Sequence, residues 1–136
     1  MTDVVELTPE ACMRLLAGEE VGRLAFAGED GYPVVLPVNY RLDGSLIVFR
    51  TADGLKLETV PLRRVAFEVD RLDPSLRTAW SVLVRGHAME VTSALGEPYE
   101  SLRRAPLASW APGHKAHWVA VEIASITGRQ IVGARD

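Results

Sequence analysis

Two Asp-Gly turns constrain the fold of this chain more than any other feature of its sequence. Asp30-Gly31 and Asp43-Gly44 each lie between stretches in which apolar and polar residues alternate. An alternation with a period of two is typical of half-buried β-strands, and an Asp-Gly pair between two of them is typical of a β-hairpin. We therefore expect three consecutive antiparallel strands, at Val21–Phe26, Tyr32–Tyr40 and Ser45–Thr51.

The rest of the chain predicts three more strands and a few short helices. Thr8 precedes Pro9 and an acidic residue, which is typical of a helix start, and Gly18 ends that helix. Cys12 lies on its apolar face and is interpreted as a core residue. Further strands are expected at Val65–Asp70, at Trp80–Thr92 with a bulge or bend at Gly86, and from His117 or Trp118 to about Thr127; further helices are expected near Leu55–Val60 and at Glu97–Arg104.

About six antiparallel strands in one small domain predict a mostly β, α+β fold. The expected architecture is a six-stranded antiparallel split β-barrel with a few short flanking helices, in a single domain that spans residues 1–136. No repeat, linker or low-complexity segment interrupts the pattern.

Composition and charge exclude several classes of function. The 136 residues carry a net charge of −3, whereas a nucleic-acid binder needs a basic face. The single cysteine, Cys12, excludes an internal disulfide and a cysteine-based zinc site, and it fits a reducing cytoplasm. The first residues lack the basic and apolar regions of a secretion signal, and no apolar run reaches the roughly 20 residues of a membrane helix. We expect a cytoplasmic protein without a membrane partner.

One turn has the composition of an anion site. Arg50, Thr51 and Lys56 flank the predicted turn from the third strand to a short helix. Such turns present free backbone N–H groups and the positive end of a helix dipole, and the three side chains add a planar fork, a hydroxyl and a point charge. The set suits a terminal phosphate, although a solvated surface connection would have the same composition.

Four further residues lie where a planar cofactor could contact the sheet. Pro37 interrupts the second strand, so it belongs at an edge, at a bulge or beside a ligand. Asn39 could hydrogen-bond a ring carbonyl or its own backbone. Trp80 and Ser81 open the fifth strand, where they could stack on and hydrogen-bond a planar ring, or act as a core anchor and a cap.

The remaining candidates point to no chemistry of their own. Arg85 and His87 share one face of the fifth strand and are interpreted as rim charges. His114 and His117 lack a third ligand, so no metal site is expected. The stretch Trp110–Trp118, at the end of the Pro/Gly loop Ala105–Ala116, is expected at a dimer interface or facing a substrate, because its two tryptophans would be costly to expose. No Ser/His/Asp arrangement stands out, and no catalytic residue is predicted.

Taken together, these segments resemble the pyridoxamine 5′-phosphate oxidase-like, FMN-binding split-barrel family, in the branch that includes nitroimidazole-reductase-type proteins and many actinobacterial homologues. The tail Val119–Ile131 does not match the Trp- and Arg-rich segment of the true vitamin B6 oxidase, so that activity is not implied. The matching stretches are Val21–Phe26, Pro33–Tyr40, Val48–Leu57, Val65–Asp70 and Trp80–Gly86.

The resemblance implies an FMN-dependent oxidoreductase of the flavin reductase or nitroreductase type, acting on a small planar acceptor, with the flavin at a homodimer interface. Its cofactor-binding positions correspond here to Pro37, Val38, Asn39, Arg50, Thr51, Lys56, Trp80 and Ser81. The turn from Arg50 to Lys56 would hold the phosphate, the strand around Val38 would run beside the isoalloxazine ring, and the strand start at Trp80 would approach the flavin, often from the partner subunit. Alternatives on the same fold are a deazaflavin-dependent reductase and a non-catalytic flavin-binding protein. Haem is less expected, because no histidine is in a recognisable axial-ligand setting.

Overall fold

The computed structural model describes residues 3–51, 63–91 and 117–133, which form one helix and seven strands. Lys56, the two predicted helices near Leu55–Val60 and at Glu97–Arg104, and the loop Ala105–Ala116 lie outside the described residues. The elements are β1 (Asp3–Glu6), α1 (Pro9–Ala17), β2 (Val21–Ala27), β3 (Pro33–Asp43), β4 (Leu46–Thr51), β5 (Arg63–Asp73), β6 (Thr78–Glu90) and β7 (His117–Val132).

The strands β2 to β7 form one antiparallel sheet that closes on itself. Their order is β7-β4-β3-β2-β5-β6, and β6 pairs again with β7. The apolar residues of successive strands alternate toward the interior, which buries one face of every strand in a single main core. The predicted six-stranded split barrel is confirmed. The seventh strand, β1, pairs with the end of β7 and was not predicted.

Both Asp-Gly turns form the predicted hairpins. Gly31 and Gly44 have φ angles of 85° and 59°, a left-handed conformation that glycine adopts without a Cβ clash. The backbone N–H of Tyr32 donates to Oδ1 of Asp30 at 3.0 Å, which stabilises the first turn. These two turns set the register of β2, β3 and β4, so they also decide which side chains of each strand face the interior.

The helix α1 packs against the barrel with its apolar face. Its N-cap is Thr8, whose Oγ1 accepts from the backbone N–H of Ala11 at 3.1 Å, as predicted. Cys12 and Leu16 are fully buried in the main core, which confirms Cys12 as a core residue. The hydroxyl of Tyr40 on β3 donates to the carbonyl oxygen of Leu16, so the end of the helix is hydrogen-bonded to the sheet.

The last strand is longer than the sequence indicates. Its predicted end, near Thr127, is wrong, because β7 continues to Val132 through pairing with β1 and the start of β6. Gly128, the residue after the predicted end, lies inside the strand. A Cβ at Gly128 would lie 2.7 Å from Sγ of Cys12 and 3.0 Å from the carbonyl oxygen of Ser81. The glycine therefore allows α1 and β6 to pack closely against a continuous strand.

The bulge predicted around Gly86 is confirmed. Arg85 pairs with Ser125 on β7 and Gly86 pairs with Ile123, so Ala124 is an extra residue on the β7 side. The structure also lengthens β5, predicted at Val65–Asp70, to Arg63–Asp73, and it begins β6 two residues before the predicted start. Both changes follow from the long β5–β6 ladder, which runs without a break along the full length of β5.

Candidate functional site

The strands β3 and β4 separate where the predicted site residues lie. Their ladder starts at the Asp43–Leu46 pair and ends at the Tyr40–Phe49 pair. Beyond that point β4 pairs with β7 through Arg50 and Thr51, while β3 continues beside β2. Asn39 on β3 and Arg50 on β4 are the first residues past the last pair, so they lie on the two sides of the split.

The strand alternation divides the predicted residues between two faces. Tyr40 and Phe49 are buried inside the barrel, so their neighbours Asn39 and Arg50 lie on the outer face. Val38 packs against the main core, and Thr51 shares the inner side of β4. Arg50 and Thr51 therefore lie on opposite faces of β4, and both could reach one anion only beyond the end of the strand.

Pro37 also lies on the outer face, in the part of β3 that has left β4. It is exposed and pairs with Arg23 on β2, and no other described strand pairs with this segment. Pro37 was expected at an edge, at a bulge or beside a ligand. The structure supports the first, because this part of β3 is an edge on its β4 side, where a missing N–H interrupts no ladder with β4.

Trp118 holds the guanidinium of Arg50. The two residues are opposite each other in the β4–β7 ladder, and Cζ of Arg50 lies 5.0 Å from the centroid of the Trp118 ring. The ring is only 9% exposed and packs in a second apolar cluster on the outer face. A guanidinium over a buried indole is stabilised by the cation–π interaction and loses side-chain freedom. The sequence predicts Trp118 at an interface or facing a substrate, but it does not predict the contact with Arg50, because the register of β4 against β7 cannot be read from the sequence.

A histidine and a carboxylate lie beside Thr51. His117 pairs with Thr51 in the ladder, and its Nδ1 contacts Oε1 of Glu90 at the end of β6. A carboxylate partner on Nδ1 orients the imidazole ring and leaves Nε2 directed away from it. Among the described residues, no group of three His, Cys, Asp or Glu side chains could hold a metal ion.

Trp80 and Ser81 lie elsewhere on the same barrel. β7 pairs with both β4 and β6, but Arg50 is opposite Trp118 near the start of β7, whereas Trp80 is opposite Gln130 near its end. The structure therefore does not bring Trp80 and Ser81 to the split in one copy of the chain. Trp80 packs partly against the main core and lines a cavity of about 280 Å³ together with Ser81 and Arg129. The interpretations of Trp80 as a core anchor and as a ligand-facing residue are therefore compatible.

Comparison with known proteins identifies the family. Residues 8–130 match the family described as pyridoxamine 5′-phosphate oxidase. The chain belongs to this family. The uncharacterized protein Rv0080 of Mycobacterium tuberculosis is 36% identical over 138 aligned positions, which cover 96% of this chain and 87% of that protein.

Solved structures of two FAD-binding proteins have the same fold. The protein from Mycobacterium smegmatis has a TM-score of 0.72 and 31% identity, covering 93% of this chain and 97% of that chain. The protein from Mesorhizobium loti has a TM-score of 0.72 and 25% identity, covering 96% of this chain and 98% of that chain. The pyridoxamine 5′-phosphate oxidase family suspected from the sequence is thus confirmed, whereas the roles of the individual residues remain predictions. In the described part of the chain, no helix has both the length and the apolar character needed to cross a membrane.

This member of the pyridoxamine 5′-phosphate oxidase family also carries a carboxylate pair on the outer face, next to Pro37. Nη1 of Arg23 lies 3.1 Å from Oε1 of Glu68 and 3.4 Å from Oδ2 of Asp70. Burial raises the pKa of Glu68 to about 7, and the hydrogen bond and charge of Asp70 add to this effect while Arg23 opposes it. The sequence held a signal for the pair, because Glu68 and Asp70 alternate along one strand and so share a face.

Proposed function

We propose that this protein is an FMN-dependent oxidoreductase of the flavin reductase or nitroreductase type. The observation that carries the proposal is the split between β3 and β4, with Asn39 and Arg50 as the first residues on its two sides. The resemblance assigns cofactor contacts to these same positions. The FAD-binding proteins with the same fold and at least 25% identity support a flavin as the ligand.

The side chains at the split fit the two ends of a flavin mononucleotide. Arg50, fixed over Trp118, offers a bidentate donor for the phosphate, and the hydroxyl of Thr51 can reach the same anion from the strand end. Lys56 is expected to add a third phosphate contact. On β3, the backbone around Pro37 is open on its β4 side, and the amide of Asn39 can donate to a ring carbonyl.

The position of Trp80 and Ser81 supports a homodimer. Within one copy they lie beside the far end of β7 from Arg50, so in this proposal a second copy brings them to the flavin. Each of the two sites would then contain residues of both copies.

A cytoplasmic location is proposed from the single reduced Cys12, which is buried.

A bound flavin would supply hydride chemistry between a reduced nicotinamide and a small planar acceptor. The residues of the chain would bind and orient the flavin. Arg50 and Thr51 would neutralise and position its phosphate, the amide of Asn39 would hydrogen-bond its ring, and Trp118 keeps the Arg50 guanidinium in place. This division of labour explains why no catalytic triad or acid pair is needed at the split.

The absorbance spectrum of protein purified without added cofactor tests the proposal. We expect a flavin spectrum, or its appearance on reconstitution with FMN, and bleaching by a reduced nicotinamide. A colourless protein that does not bind FMN refutes the proposal. A deazaflavin or haem spectrum would favour another cofactor on the same fold, and bound flavin that no nicotinamide reduces would favour a non-catalytic flavin-binding protein.

Two variants test the phosphate assignment. Arg50→Ala and Lys56→Ala should each weaken FMN binding by about 1–3 kcal/mol, roughly 5- to 150-fold, which is the scale of a charged hydrogen bond. Arg14→Gln is the matched control, because it removes one positive charge from the exposed side of α1. Unchanged affinity in both test variants, or an equal loss in Arg14→Gln, would contradict the assignment.

A further inference from the structure

The outer face of the barrel contains a basic cavity that the proposed function does not use. It has a volume of about 570 Å³ and opens between β2, β5, β6 and β7, at the bulge around Ala124. Its basic side chains are Arg64, Arg85 and His87, and no carboxylate is part of its lining. On a chain with a net charge of −3, this is a local concentration of positive charge.

Small residues form the floor of this cavity. One cross-strand row runs from Ala25 on β2 through Ala66 and Arg85 to Ser125 on β7. Arg85 is the only long side chain in the row, so the sheet surface around it is low and mostly apolar. The extra residue at the bulge, Ala124, continues this floor. The result is a shallow, flat-bottomed recess with basic side chains along its side.

The three basic side chains lie close together on one face of the sheet. Arg64 is directly opposite His87 in the ladder, and Arg85 is the diagonal neighbour on the same face. Over the described part of the chain, none of the three takes part in a side-chain hydrogen bond or ion pair. Two carboxylates occupy neighbouring ladder positions, Glu122 opposite His87 and Glu68 diagonal to Arg85, but neither lines the cavity. The two guanidinium groups at the cavity are therefore available to an anion.

We propose that this cavity binds a small organic phosphate whose body is flat and apolar, of about the size of a nucleotide. Two guanidinium groups offer the charge and planar donors that a phosphate monoester needs, and an imidazole adds a ring nitrogen for hydrogen bonding. The volume of about 570 Å³ is within the usual range for small-molecule sites and far exceeds the needs of a lone phosphate ion. The low floor of alanine and glycine accommodates a ring that lies flat against the sheet.

Calorimetric titration with three probes tests the proposal on the protein as purified, with and without excess FMN. Adenosine 5′-monophosphate should bind in both conditions, and adenosine and inorganic phosphate should each bind at least tenfold more weakly. Arg85→Gln and Arg64→Gln should each weaken binding of the nucleotide tenfold or more. Arg85→Lys, which keeps the charge but loses the planar fork, should give an intermediate loss. Circular dichroism and thermal unfolding establish that each variant is folded.

The controls distinguish binding in this cavity from binding at the split and from contact between two copies of the chain. Arg14→Gln removes the same charge elsewhere and should leave the affinity unchanged, and Arg50→Ala should do the same because it alters only the split. Loss of nucleotide binding in Arg50→Ala, equal loss in Arg14→Gln, or equal affinity for adenosine would overturn the proposal. The proposal would also be overturned if the wild-type protein bound none of the probes. If, in addition, Arg85→Gln changed the association state in sedimentation, this face would be an interface between two copies of the chain.

Discussion

Replacement of Gly86 by alanine should destabilise the barrel by about 2–4 kcal/mol. A Cβ at Gly86 would lie 2.1 Å from the carbonyl oxygen of Glu122 and 3.0 Å from Cγ1 of Val121. The first distance is about 1.3 Å short of an ordinary contact of 3.4 Å. Glu122 cannot move easily, because it pairs with His87 on one side and with Leu46 on the other. Relief of the clash must therefore disturb two ladders, and the expected cost combines overpacking with about one lost hydrogen bond.

Urea unfolding followed by circular dichroism measures this effect, and the melting temperature should fall by on the order of 10 °C. Gly18→Ala is the matched control, since a Cβ there would lie 3.6 Å from the carbonyl oxygens of Arg14 and Leu15, which is ordinary contact. The control should stay within about 0.5 kcal/mol of the wild type. If Gly86→Ala also changes stability by less than about 0.5 kcal/mol, β7 is not held rigidly at the bulge and the reasoning fails.

Two further changes test buried polar groups. Tyr40→Phe removes the hydroxyl that donates to the buried carbonyl of Leu16, so urea unfolding should show a loss of about 1–3 kcal/mol, and unchanged stability would mean that this hydrogen bond does not anchor α1. For Glu68, burial and Asp70 raise the pKa from 4.5 to about 7, so the folded state holds the proton more tightly than the unfolded chain does. That stabilisation is complete below about pH 4.5 and is lost as the pH rises through 7. As the pH rises between these values, the free energy of unfolding of Glu68→Gln should therefore increase by on the order of 1 kcal/mol relative to that of the wild type. This figure is reduced for solvent screening, because the Glu68 side chain is about one-third exposed. Parallel pH profiles of stability for the two proteins would contradict the raised pKa.

Local patterns predicted most of the barrel. The Asp-Gly turns and the alternation of apolar residues located β2, β3 and β4 within a few residues, because a hairpin depends on contacts between neighbours in sequence. β1 was missed for the opposite reason. All of Asp3–Glu6 is exposed, so it has no apolar face to indicate a strand. It exists because β7 extends past Gly128, and that extension depends on the close approach of α1 and β6.

The candidate site was predictable from the sequence only for residues that lie close together in the chain. Arg50 and Thr51 were identifiable as polar residues at a strand end followed by a turn. Their partners, Trp118 for the guanidinium and His117 beside the hydroxyl, come from a strand that is distant in the chain. Their register follows from the closure of the whole sheet, which no local pattern encodes. The sequence did indicate that the tryptophans of Trp110–Trp118 would be costly to expose, and Trp118 packs in the apolar cluster on the outer face.

In the described residues, both places where the barrel ladder is interrupted have basic side chains on the outer face. A regular closed sheet satisfies its own backbone groups and presents a surface of alternating side chains, which gives a small molecule little to enter. In the described residues, the split after the Tyr40–Phe49 pair lies beside Arg50, and the bulge at Ala124 lies beside Arg85 and Arg64. At the split, the separation of β3 from β4 leaves one side of the β3 backbone unpaired with β4. At the bulge, the extra residue changes the direction of the neighbouring side chains. At both places the irregularity of the sheet itself creates space on the outer face, and the adjoining strands supply basic side chains.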